Sequence, residues 1–209
     1  VDSPLNQLSS SVGDRTNAAN HAVARACLAN PSLLEPIGGG LLGDDKKLAG
    51  DCAEVMTQTA AEAPELVVPY AGALIKLLEH PYTRARWEAA HALADIASLV
   101  PEQLRKSRDL LVDLIRHDSS IIVRDYSVDI VSGLAGASVD DAAWAFPILQ
   151  ECLDLWDGRH AGHSLPGLGR VAEHLPHHRA QIRRQAEGLL DHQRGVVRKA
   201  AKRLVRKLS

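Results

Sequence analysis

PEQLRKSRDLLVDLIRHDSSIIVRDYSVDIVSGL, residues 101–134, decides the fold. A proline opens the stretch, apolar residues recur three and four apart, and the first run ends at Arg116-His117-Asp118. A short bend follows, and Val123-Arg124 opens a second run of the same period. The spacing predicts two antiparallel helices joined by a tight turn. One such hairpin cannot bury its own apolar stripe, so it needs neighbours on both sides.

The neighbours are present in the chain. Breaking prolines stand at Pro31, Pro64, Pro101 and Pro176, with Val139 where another is due, at steps of 33, 37, 38 and 37 residues. A second ladder marks the start of each second helix at Arg86, Arg124, Gly162 and Arg198, at steps of 38, 38 and 36. Two ladders with one period indicate internal repetition.

Between the breaks, helices are expected over about 15–29, 46–62, 64–79, 83–99, 140–156, 159–174, 177–192 and 196–208. Residues 1–14 read as a flexible lead-in with Asp14 as an N-cap, and residues 15–209 as one repeat domain. Pro147 should kink its helix, and Gly162, Pro166, Gly167 and Gly169 should bend or shorten theirs. Pro36 and Gly38-Gly39-Gly40 mark the most irregular hairpin.

The unit resembles a HEAT repeat. The resemblance is carried by Pro101, Leu110-Leu111, Leu114, Asp118 and Val123-Arg124, and again by Pro176, Leu189-Leu190, Asp191, Val197-Arg198 and Ala200-Ala201. Arg84-Ala85-Arg86 fits a second-helix start, although His80-Pro81 stands where Asp is expected. The resemblance implies an all-α, right-handed α-α superhelix of about five hairpins plus an N-terminal helix. Asp118 and Arg124, six apart, are expected to pair across their turn, with the Arg also in reach of the neighbouring turn.

Composition agrees with close-packed helices. Hydrophobic residues are 45% of the chain but aromatics only 3%, which disfavours sheets. The three cysteines, Cys27, Cys52 and Cys152, are odd in number and form no CxxC, so buried thiols in a reducing compartment are expected. No apolar run reaches the ~18 residues of a membrane span, and a cytoplasmic protein is expected. GGGLLGDDKK lacks the spacing of a phosphate loop, and no GxSxG or HExxH occurs. An enzyme is therefore not expected, nor a cofactor.

In HEAT-like stacks the second helices line the inner face. Aligned by the period, they bring Glu54, His91 and Asp129 into one row, Glu88 and Tyr126 into a second with Asp51, and Asp95 into a third. Such an acidic inner face suits a basic peptide or helix from a protein partner. The contacts expected are Glu54, Glu88, His91, Asp95, Tyr126 and Asp129.

The C-terminal end inverts the charge. Residues 176–209 hold ten Lys/Arg against two acids, although the whole chain is at −2. Arg198, Lys199, Lys202, Arg203, Arg206 and Lys207 form a basic face on the last helix. It reads first as a polar cap and second as a patch for nucleic acid. HEAT-like DNA glycosylases, which use Trp, Asp and Arg in a basic cleft, resemble this chain in fold class and size only. His160 with His163 and His174 with His178 have helical metal-ligand spacing, but no Cys or paired carboxylate accompanies them, so no metal is expected.

Overall fold

The computed structural model describes residues 3–209. Helices connected by short turns make up the chain, with no strand among the described residues. They group into two compact units, Val1–Ser107 and Arg108–Ser209.

The first unit holds α1 (Ser9–Val12), α2 (Ala18–Ala29), α3 (Leu34–Gly40), α4 (Lys46–Glu62), α5 (Ala71–Leu77), α6 (Thr83–Ile96) and α7 (Pro101–Arg105). Short 3-10 turns begin at Pro31 and Pro64, where a fixed φ and a missing N–H favour a new helical start. The α4 helix begins where Asp45 accepts the amides of Lys47 and Leu48, at 2.8 and 3.2 Å. It packs along α6, where Thr57 Oγ1 donates to Glu88 O at 2.9 Å, and both helices carry small residues: Ala49, Cys52, Ala53, Ala85, Ala89 and Ala92 are all fully buried.

Residues 3–14 are not a loose lead-in. Pro4–Gln7 and α1 form two helical turns, and Leu8 is fully buried. The Ser9 amide donates to Asn20 Oδ1 at 2.8 Å and the Ser10 amide to Asp51 Oδ2 at 2.7 Å. Asp14 accepts the amides of Thr16 and Ala19, so it serves α2 from beyond the N-cap, which Asn17 occupies. These main-chain and Thr16 hydroxyl bonds hold its carboxyl well below the usual range. The first two residues of the expected lead-in lie outside the described residues.

The second unit holds α8 (Arg108–His117), α9 (Ile121–Leu134), α10 (Val139–Glu151), α11 (Leu155–Gly158), α12 (Ala161–His174), α13 (Arg179–Gly188) and α14 (Gly195–Leu208). The first helix of the opening stretch is thus two pieces, α7 and α8. The α10 helix runs through Pro147 without a break and stops at Glu151, five residues before the expected end. Trp156 and Asp157 then take the left-handed region, at φ 54° and 56°.

The α12 helix is also unlike the expectation. It runs fourteen residues unbroken through Gly162, Pro166, Gly167 and Gly169. Packing explains this. A Cβ on Gly167 would lie 2.8 Å from both the Leu149 Cδ1 and the Ser132 Cα. The glycine lets α12 press against α9 and α10, and that contact repays the helix propensity it forgoes.

Candidate functional site

The Arg ladder belongs to the fold. Arg124 Nη1 donates to the main-chain oxygen of Asp118 at 2.6 Å, rather than to that carboxylate, which accepts the Ser120 amide at 2.7 Å. Arg86 repeats the bond to His80 O at 2.9 Å, and Arg198 to His192 O at 2.7 Å, always six residues back. His80 and His192 stand in the Asp position. Each accepts at Nδ1 from the amide two residues on, Tyr82 and Arg194, both at 3.1 Å. A histidine with a free Nδ1 lone pair therefore replaces the carboxylate as a turn acceptor. The matching residue of the last turn is His192, not Asp191.

Where Gly162 breaks the ladder, Arg124 covers the next turn. Its guanidinium lies 4.0 Å from the Trp156 ring, and its Nε donates to His160 Nε2 at 3.3 Å. The reach to a neighbouring turn is as expected, but an indole and an imidazole receive it.

In the first unit, the acidic row is partly consumed. Asp51 is fully buried and Glu54 is 5% exposed. Arg84 bridges both, at 2.7 and 2.6 Å, and Asn20 Nδ2 donates to both, at 2.9 and 2.7 Å. Burial pushes the Asp51 carboxyl up, but the Ser10, Asn20 and Arg84 bonds outweigh it and hold the carboxyl below its ordinary value. Glu54 is therefore a structural anchor for α2 and α6. It is withdrawn from solvent and cannot be the partner contact expected of it. Arg84 was visible only as a helix-start residue, and nothing local marks it as the counter-ion of two acids one turn apart on α4.

The α6 residues stay accessible. Glu88 is half-buried, accepts Trp87 Nε1 at 2.9 Å, and has a carboxyl pushed up chiefly by burial. Asp95 is exposed, with its carboxylate 4.0 Å from His91 Nε2 one turn back.

In the second unit, α9 offers Tyr126 and Asp129, both half-buried. Asp129 is bonded to His163 Nδ1 at 2.8 Å, and Asp125 to the fully buried His160 Nδ1 at 2.6 Å. The Asp129 bond is the main reason the His163 imidazole is pushed up, against burial. His163 of α12 and His160, at its N-cap, thus pair with the two acids of α9. The i,i+3 spacing reflected two Asp–His bonds between helices. His178, of the other spaced pair, lies with its ring 4.0 Å from Phe146. No group of three or more metal-ligating side chains converges among the described residues.

The basic residues of α14 divide in the same way. Arg198 is a turn clamp, and Lys207 bridges Glu173 at 2.7 Å. Lys199, Lys202, Arg203 and Arg206 are exposed and form no ion pair among the described residues. Lys199 and Arg203 flank a groove between α12 and α14 with a volume of about 520 Å³. The apolar floor of that groove went unread in the sequence. Its signal was Gly162, Pro166 and Gly169, which share one face of α12.

This helical hairpin architecture is that of HEAT- and armadillo-like repeat proteins. No family profile matches the chain, and no curated protein matches it in sequence. Solved structures do match in fold. A designed armadillo repeat protein in complex with the peptide (KR)4 superposes with a TM-score of 0.70 at 17% identity, covering 100% of both chains. An engineered protein gives 0.71 at 18% identity over 98% of this chain and 94% of its own. The HEAT-like repeats protein of Thermococcus onnurineus NA1 gives 0.57 at 13% identity over 91% and 92%. No described helix is long and apolar enough to cross a membrane.

Proposed function

We propose that the protein is a non-catalytic helical-repeat scaffold that captures a basic segment of a protein partner, with the α6 face as its principal contact. The observation that carries this reading is the accessible acid on α6. Asp95 is exposed beside His91, while Glu88 stays half-buried about two turns away on the same helix. Asp51 and Glu54 are buried beneath Arg84 and so are less accessible. Tyr126 and Asp129 are the corresponding contacts of the second unit. Their part is smaller, because His163 occupies the Asp129 carboxylate. A fold-mate that binds (KR)4 supports the choice of a basic peptide.

Base excision draws no support from the tryptophans. Trp87 donates to Glu88, Trp144 lies 4.6 Å from the Arg108 guanidinium, and Trp156 stacks on Arg124. Three buried thiols favour a reducing compartment such as the cytoplasm.

Fluorescence anisotropy with labelled (KR)4 tests the proposal. The native chain should bind it in a salt-sensitive manner, and Asp95→Lys with Glu88→Lys should weaken binding about tenfold or more. Unchanged binding by that double variant would remove the α6 face from the reading.

A further inference from the structure

We propose that the groove between α12 and α14 docks an acidic, amphipathic segment of a protein partner. This site is separate from the α6 face and opposite to it in charge. Its floor is apolar: Leu165 and Pro166 come from α12, Val196 and Leu204 from α14. Its rim is cationic, with Lys199 and Arg203 on α14 and Arg170 on α12. Lys199 and Arg203 are exposed and form no ion pair among the described residues. Arg170 is anchored by its Nη1 bond to Ser132 O at 2.6 Å, so its position is held before any partner arrives.

The groove exists because α12 is glycine-bearing on this side. A Cβ at Gly169 would lie 3.1 Å from Leu204 Cδ1, and one at Gly162 3.5 Å from Val196. Larger residues there would fill the floor.

A solubilising cap explains less. A solubilising face would be polar throughout, yet Val196 is 53% exposed at the groove floor. A nucleic acid fits less well too. Phosphates would satisfy the rim, but an apolar floor without aromatic side chains offers bases nothing to stack on. A partner segment carrying Glu or Asp on one face and Leu-like side chains on the other satisfies both layers at once. The floor removes its apolar side chains from water, and the rim pairs its carboxylates.

The probe is a labelled peptide with Leu and Glu at helical spacing, compared by anisotropy with polyglutamate of equal length and with a short DNA duplex. The Leu/Glu peptide should bind about tenfold or more tighter than polyglutamate. Val196→Asp should lose that advantage, and the double variant Lys199→Glu/Arg203→Glu should lose binding about tenfold or more. All three positions are exposed, so circular dichroism should show both variants folded. Polyglutamate binding as tightly as the Leu/Glu peptide would overturn the proposal. So would tighter binding of the duplex, or native-like peptide binding by the folded variants. The α6 variant Asp95→Lys should still bind the Leu/Glu peptide, so failure at one site is distinguishable from failure at the other.

Discussion

Gly167 and Gly39 are both helical glycines, and they should respond oppositely to a methyl group. At Gly167 the new Cβ would meet the main chain of Ser132 at 2.8 Å, and backbone cannot step aside. Gly167→Ala should cost about 1–3 kcal/mol, the usual range for overpacking. At Gly39, inside α3, a Cβ has nothing within 4 Å. Gly39→Ala should therefore stabilise by up to about 1 kcal/mol, through helix propensity alone. Urea midpoints of the two variants check both signs. Equal effects would mean that α12 does not depend on its close approach. The sequence predicts a bent or short helix from the α12 glycines, because propensity is visible locally and the partner surface is not.

Among the elements, the α9–α12 pairing carries a pH dependence. Bonding to Asp129 raises the His163 imidazole in the folded state. A group raised on folding stabilises fully below its unfolded value, near 6.5, and that contribution is lost as pH rises through the folded value. Melting temperatures of the native chain and of Asp129→Asn should therefore differ most at slightly acidic pH and converge as pH rises past the folded value. A constant difference across that range would assign the bond no proton linkage. The turns between elements show how far local reading extends. The Arg86, Arg124 and Arg198 ladder was legible because each Arg bonds a carbonyl six residues back. The use of His80 and His192 as acceptors was not, since a histidine before a turn has no fixed role until its Nδ1 is placed.

At the scale of the whole molecule, three thiols report on the folded core. Cys27, Cys52 and Cys152 are buried, and burial pushes them up to about 11, 12 and 12. Thiolate is the reactive form, so alkylation at neutral pH should be negligible in native buffer and complete in denaturant. Cys27 and Cys52 report on the first unit and Cys152 on the second. Fast labelling of any one in native buffer would contradict the core described for that unit.

The sequence by itself determined the helical repeat, its period and most helix boundaries. Lys46–Glu62 lies where periodicity and the breaks placed it. These follow from local rules of apolar spacing, proline geometry and turn chemistry, which act within one hairpin. Only the tertiary structure decided which charges remain for a partner. Glu54 and Asp129 share one row of the repeat, yet Arg84 buries the first and His163 pairs with the second. Lys199 and Arg203 of α14 stay exposed beside an apolar floor. A charge is spent or spared according to which side chain the adjacent hairpin brings within about 3 Å. That depends on packing between repeats, which the period of a single repeat does not encode.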